Sequence, residues 1–372
     1  MKENFVFVFD IGSSKIRAMV AGKGINNTFK EKVYKEIAYD GFFEGEFLNK
    51  DNLEEIFQEV ADEFSAFTKK IKKVYIGVPA EFSSVVLSDV SLSLGENRKV
   101  TKDDIDSLVY MAGERVKTSE VEVISVSPIS YNLDGKKTLA PVGECGMNLS
   151  AQASIVYANR EFIDMFNTLV GDLGFSTVEY ISEPLAEALF VLPQHDREGI
   201  ALLVDSGDIS TSIAIVEGDG LKALTSVSRG GGFVTNDLAE AFELSIADAE
   251  RLKKQVVLSV KGKNTDCYDL AVDGGRTERI SLNLANEIVS YRIDELSEVI
   301  LKCLQSCTEE YVQYLPVYLT GGGISKIKGG RDYLAKCLGR NVSYGVPRLP
   351  GKEKPELASV YSLVNWALTN EN

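Results

Sequence analysis

The sequence predicts an α/β fold of two domains, duplicated around one hairpin pattern, with a small β-α-β-β unit inserted in the first. Three observations carry this. Residues 5–22, FVFVFDIGSSKIRAMVAG, join an apolar run to an alternating run through a Gly/Ser turn, as in a β-hairpin with a buried first strand. The pattern returns in ALLVDSGDISTSIAIVEG at 201–218, where Asp205 matches Asp10 and Gly207 matches Gly12. Residues 80–162 interrupt the order with Ser- and Val-rich strand material around a single helix.

Each element follows from its spacing. After the first hairpin, with its turn at 10–15, Val33–Ile37 reads as a strand. Leu53–Lys69 reads as a helix with Leu53, Ile56, Phe57, Val60, Phe64 and Phe67 on one face, and Val74–Val78 as a strand ended by Pro79. In the insert, Ser83–Leu94 is a strand, Thr101 caps a helix to about Lys117, and strands from Val121 run to Tyr157. Helix then covers Asn159–Leu173 and strand Ser176–Ile181, and Pro184 sits in the first turn of a helix ending at Leu192. Beyond the second hairpin, Gly230–Gly232 precede a helix through Phe242, Ala247–Lys254 form another, and Leu282–Glu310 form a long one. Val317–Thr320 is a strand running into Gly321–Gly323, and a helix starts at Gly330. Ser359–Leu368 closes the chain as a helix with Val360, Leu363, Val364 and Leu368 on one side. The expected division is 1–79, 163–192 and 350–372 for the first domain, 80–162 for the insert and 193–349 for the second domain, with about 232–300 its smaller part.

With 372 residues, 44% hydrophobic and 26% charged, the chain can bury real cores. A net charge of −15 argues against nucleic acid or an anionic lipid surface as a broad partner. The five cysteines are scattered without a CxxC pair, so reduced thiols are expected rather than zinc; Cys303 and Cys307 would share a helix face. The single histidine, His195, lies in a polar surface loop, which excludes histidine-based hydrolase chemistry. The N-terminal apolar run is too short for a signal peptide. No run approaches ~18 apolar residues, so no membrane span is expected; the scattered cysteines read as the reduced thiols of a cytoplasmic protein.

The hairpin tips suggest phosphate chemistry. Gly and Ser in tight turns let backbone N–H groups approach phosphate oxygens. Carboxylates face magnesium, usually through water, and a cation neutralises the terminal phosphate. Gly12, Ser13, Ser14 and Lys15 answer the first and third needs, and Asp10 and Asp205 the second if the hairpins face each other. One DxG turn alone is ordinary hairpin chemistry; two copies in the same strand context are the signal. Gly321–Gly323 would alone be a strand-to-helix turn, but following both hairpins they become a third element.

These segments resemble the actin-like ATPase superfamily, whose fold is a ribonuclease H-like duplication, and within it FtsA, the bacterial cell-division actin homologue. The resemblance runs through FDIGSSKI at 9–16, SEPLAEAL at 182–189, VDSGDISTS at 204–212, GGFVTNDLAEAF at 231–242, DAERLK at 248–253 and YLTGGGISKIKG at 318–329, and the insert also fits. PilM of pilus assembly is the nearest rival branch. The resemblance implies ATP and Mg²⁺. Asp10 and Asp205 would hold magnesium through water. Gly12, Ser13, Ser14 and Lys15 would wrap the phosphates, with Gly207 and Ser210 completing a second loop. Glu183 would orient the attacking water, Gly231 and Asn236 would lie near the nucleotide, Glu250 and Lys253 would contact ribose and adenine, and Gly321, Gly322 and Gly323 would admit the nucleotide. Asp208 and Ile209 stand where the family pattern has glycines, so nucleotide binding is expected to survive more readily than hydrolysis. The implied partners are further copies of the chain in a protofilament, and FtsZ with other divisome proteins. Membrane contact at the division site is expected only through a tail absent from this sequence. The alternatives are a nucleotide-binding scaffold like PilM and a small-molecule kinase of the same fold.

Overall fold

The computed structural model describes residues 5–24, 28–68, 71–116, 118–307 and 315–370. The ends predicted for three helices, at Lys69, Lys117 and Glu310, and the Cys307 side chain lie outside the described residues.

The first half begins with β1 (Phe5–Ile11), β2 (Lys15–Lys23) and β3 (Phe29–Ala38). A short hairpin, β4 (Phe42–Phe43) with β5 (Glu46–Phe47), precedes α1 (Lys50–Thr68) and β6 (Lys73–Val78). The insert supplies β7 (Ser83–Lys99), α2 (Lys102–Glu114), β8 (Val121–Leu133), β9 (Lys136–Thr138) and β10 (Cys145–Asn159). Then come α3 (Arg160–Asp172), β11 (Thr177–Ser182), α4 (Glu183–Val191) and the short α5 (Gln194–Arg197). The second half has β12 (Ile200–Ser206), β13 (Thr211–Glu217) and β14 (Gly220–Val227). These are followed by α6 (Gly231–Phe242), α7 (Ile246–Gln255), β15 (Cys267–Ala271), β16 (Thr277–Ser281) and α8 (Leu282–Cys307). β17 (Val317–Thr320), α9 (Gly330–Leu338), β18 (Val342–Tyr344) and α10 (Ala358–Asn370) complete the chain.

The duplication is visible in the sheets. One has the order β11-β6-β1-β2-β3 and the other β18-β17-β12-β13-β14. In each, the hairpin strands pair antiparallel, and the two strands on the far side of the first hairpin strand run parallel. Parallel strands covered on both faces need unbroken apolar runs. Phe7, Phe9 and Ile11 pack under α1 and α3, while Val6 and Val8 face α10. Leu202 and Val204 likewise face α8 and α9, while Ala201 and Leu203 face α4. Thus α4 and α10 form a layer between the two sheets.

Two expectations change here. The closing helix is not amphipathic, because Ala358–Val364 are all buried in that middle layer. Phe67, assigned to the apolar face of α1, is exposed. The insert is a separate four-stranded sheet, β7-β10-β8-β9, with α2 on one face. Thr101 caps α2 in a reciprocal box with Asp104, whose carboxylate Arg98 also grips with two bonds of 2.7 Å. His195 sits on α5 with its side chain 79% exposed. Among the described residues no helix is long and apolar enough to cross a membrane.

Candidate functional site

Both hairpin tips close in the same way. Gly12 N–H donates to Lys15 O at 3.0 Å, and Gly207 N–H donates to Ser210 O at 2.9 Å. A Cβ on Gly12 would lie 2.8 Å from Lys15 O, so this turn requires glycine. The tips face each other across a cleft lined by Asp10, Gly12, Ser13, Ser14, Lys15, Glu183, Asp205, Gly207, Ser210, Glu250, Lys253 and Gly321–Gly323. They also touch: Ile209 N–H donates to Ser13 Oγ at 3.1 Å. The space left is about 200 Å³, below the roughly 300–1,000 Å³ of ligand pockets.

Asp10 belongs to the strand rather than the turn and pairs in register with Arg17. This places at the cleft floor a cation that the sequence reading missed. Arg17 Nη1 lies 3.2 Å from Asp10 Oδ2, and its Nε donates to Glu36 Oε2 at 2.9 Å. Burial works against the guanidinium charge, but Asp10 and Glu36 outweigh it and hold the charge firmly in place. Lys15 lies toward the mouth, paired to Glu36 Oε1 at 2.5 Å. Strand alternation sets Lys15 and Arg17 on one face, so the motif carried the signal once the turn was narrowed to residues 12–14.

The floor is short of positive charge. Glu183 opens α4, and Glu187 follows one turn later on the same face. Both are buried. Burial first, then Asp10 and Asp205, push the Glu183 carboxyl far up; burial first, then Asp205 and Glu183, do the same to Glu187. Asp205 is raised to about 6 by burial and by Asp10, against the pull of Arg17 and the Thr320 hydroxyl. Among the described residues Asp10 Oδ1, Glu183 Oε2 and Glu187 Oε1 find no hydrogen-bond partner. Among the described residues no three Asp, Glu, His or Cys side chains sit close enough to share an ion directly.

The glycine runs pack on one another. Gly231 N–H donates to Gly207 O at 2.9 Å and Gly323 N–H to Ser206 O at 2.7 Å. A Cβ on Gly231 would lie 2.7 Å from Gly323 Cα. Gly321, at φ +76°, abuts the Asp205 carboxylate, whereas Gly322 faces the open side near Lys326 and Glu356. Lys253 is buried and donates to Gly231 O (2.9 Å) and Thr235 Oγ1 (2.8 Å), and it pairs with Glu250 Oε2 at 2.6 Å. Asn236 is exposed and, like Gly231, does not line the cleft; its neighbour Thr235 points inward and donates to Glu250 Oε2 at 2.7 Å. Tyr39, which no local pattern signalled, donates to Gly12 O at 2.7 Å and supports the first tip.

Comparison with known proteins finds likenesses of family and fold along the chain. The family described as "Cell division protein FtsA" matches residues 202–362, and the family "SHS2 domain inserted in FTSA" matches residues 84–157. The cell division protein FtsA of Enterococcus hirae is 23% identical over 96% of this chain and 82% of its own length. That of Bacillus subtilis (strain 168) is 20% identical over 100% of this chain and 85% of its own. Among solved structures, the PilM-PilN type IV pilus biogenesis complex has a TM-score of 0.63 at 18% identity, covering 98% of each chain. MreB5 of Spiroplasma citri bound to AMPPNP has a TM-score of 0.58 at 11% identity, covering 100% of this chain and 97% of that one. The likeness to PilM and MreB5 is one of fold. The insert and the second half carry the family assignment, and the chain belongs to the FtsA family of actin-like cell-division proteins.

Proposed function

We propose that the cleft binds ATP with Mg²⁺ and that the bound nucleotide controls self-association of the chain into protofilaments. These assemblies would link FtsZ and other divisome proteins to the inner face of the cell membrane at the division site. The observation that carries the nucleotide reading is the pair of matched DxG tips facing one cleft, with Asp10 and Asp205 both on its floor. The solved relative MreB5 holds AMPPNP.

The residues suit magnesium. The donor set is all carboxylate oxygen, as a hard cation requires, and Asp10 Oδ1 and Glu183 Oε2 are buried acceptors without donors among the described residues. Among the described residues no group of three carboxylates is placed to take a bare ion, so contact would run through water. Bound Mg²⁺ would offset phosphate charge. The chain's own part is positional. Backbone N–H groups of Ser13, Ser14, Asp208 and Ser210, and that of Ile209 once the tips part, would take phosphate oxygens, Arg17 would add fixed positive charge, and Gly322 would give the base a close approach on the side of Glu250, Lys253 and Lys326. Asp208 and Ile209, standing in the second tip where the family pattern has glycines, support binding ahead of efficient hydrolysis.

Calorimetry with Mg-ATP on the chain and on Asp10→Ala tests the site: the variant should bind at least tenfold more weakly, and equal affinities would overturn the assignment. Pelleting with and without Mg-ATP tests assembly. No nucleotide-dependent change in sedimentation would favour a scaffold role on the same fold.

A further inference from the structure

We infer that Glu187 is a third carboxylate of the cation site, and that with Asp10 and Glu183 it holds a hydrated divalent cation in the cleft before any nucleotide arrives. The inference rests on the cleft being a magnesium site but not on ATP binding. Glu187 lines the cleft, is 1% exposed, and its Oε1 has no hydrogen-bond partner among the described residues. Asp10 Oδ1 and Glu183 Oε2, equally buried from water, are unpaired in the same space. Three orphaned acceptors around one polar space require donors. A magnesium ion gives up its waters reluctantly and at full hydration turns only O–H donors outward. The two demands match. Because no group of three carboxylates among the described residues is placed to take a bare ion, the cation would be held through its waters. Charge points the same way: Asp10, Glu183, Glu187 and Asp205 gather here, and Arg17 is the cation among them, already shared with Glu36. Lys253, the other buried cation on the cleft wall, is committed to Glu250 and Thr235.

The test uses Mn²⁺ alone as the probe, titrated into the nucleotide-free chain and followed by loss of the free-ion EPR signal. The wild type should bind about one Mn²⁺ tightly, and Glu187→Gln should bind it roughly 10- to 100-fold more weakly, the usual cost of removing a partner of metal-bound ligands. Hexaamminecobalt(III), which cannot exchange its ligands, should displace the Mn²⁺, because the contacts run through the cation's hydration shell. Glu356→Gln at the rim should leave Mn²⁺ affinity unchanged. If Glu187 is only a protonated structural acid, its neutral isostere Glu187→Gln will bind like the wild type, and the inference falls; it falls equally if no tight Mn²⁺ is found. Should Glu187→Gln fail to fold, Glu187→Asp keeps the charge but withdraws it by one methylene, and undiminished binding there counts against the inference. ATP binding in EDTA separates the two readings. ATP without Mn²⁺ binding rejects this inference alone; Mn²⁺ without ATP binding rejects the nucleotide reading alone.

Discussion

Arg17→Met keeps the length of the side chain and removes its charge. Asp10, fully buried, then loses the partner at 3.2 Å, and Glu36 loses the donor at 2.9 Å. Removing one member of a buried pair costs about 3–5 kcal/mol, chiefly because the remaining charge is stranded. The exposed side of the contact, Glu36 with Lys15, adds little. The expected loss is therefore about 3–5 kcal/mol, a large share of the ~5–15 kcal/mol available to a folded domain. The double variant Asp10→Asn with Arg17→Met strands no charge, so the cycle should show coupling of at least about 2 kcal/mol. Urea unfolding in EDTA, followed by circular dichroism, measures all four species. Repeating it in Mg²⁺ adds a control, since a ligand at 100 times its dissociation constant returns about 2.7 kcal/mol, and Arg17→Met should gain more from Mg²⁺ than the wild type. A loss under about 1 kcal/mol, or additive single effects, would refute the view that Arg17 is the charge paired with Asp10 in the floor.

Other changes should read out different parts of the site. Gly321→Ala places a Cβ at φ +76° against the Asp205 carboxylate and Ser206 O; thermal melting should fall by several degrees, and retention of the wild-type midpoint would show that the loop yields freely. Ser13→Ala removes the acceptor for Ile209 N–H, and that amide should exchange roughly 2- to 10-fold faster by hydrogen-exchange mass spectrometry, the equivalent of about 0.5–1.5 kcal/mol; an unchanged rate would mean that the tips do not meet in solution. Glu36 is pushed up by burial but brought down to about 2 overall by the Lys15 hydrogen bond and the Arg17 charge. A lowered carboxylate stabilises above its unfolded value and loses that stability as pH falls toward 2. Glu36→Gln should thus cost about 1 kcal/mol at pH 7, discounted for its exposure, and nothing near pH 2; an equal cost at both would contradict the ion-pair assignment.

Much of the fold was legible because its signals are local. Buried parallel strands need apolar runs such as 5–9, and hairpin tips need the small residues at 12–14 and 207. What escaped depends on pairing across the chain. Arg17 looks like a surface strand residue until Asp10 is moved from turn to strand, which makes the two register partners. Glu187 looks like a solvated helix position, because nothing in SEPLAEAL says that α10 covers the far side of α4. The glycines at 230–232 and 321–323 signalled close approach correctly, but much of that approach is to each other. Asn236 was drawn from a motif, whereas helix geometry turns Thr235 inward instead.

The contact between Ser13 and Ile209 has a consequence for affinity. A duplicated fold makes two loops that fit each other as well as a common guest, so the ligand-free cleft has a competitor built into it. Any molecule entering there must first part the tips, and its apparent dissociation constant is its intrinsic one divided by the fraction of chains already parted. If the clasp is worth about 1 kcal/mol, that fraction is roughly one in six. Entry then works as a wedge: the opening it forces is passed to α4 and α10, which lie between the two sheets, and so to the relative setting of the two halves.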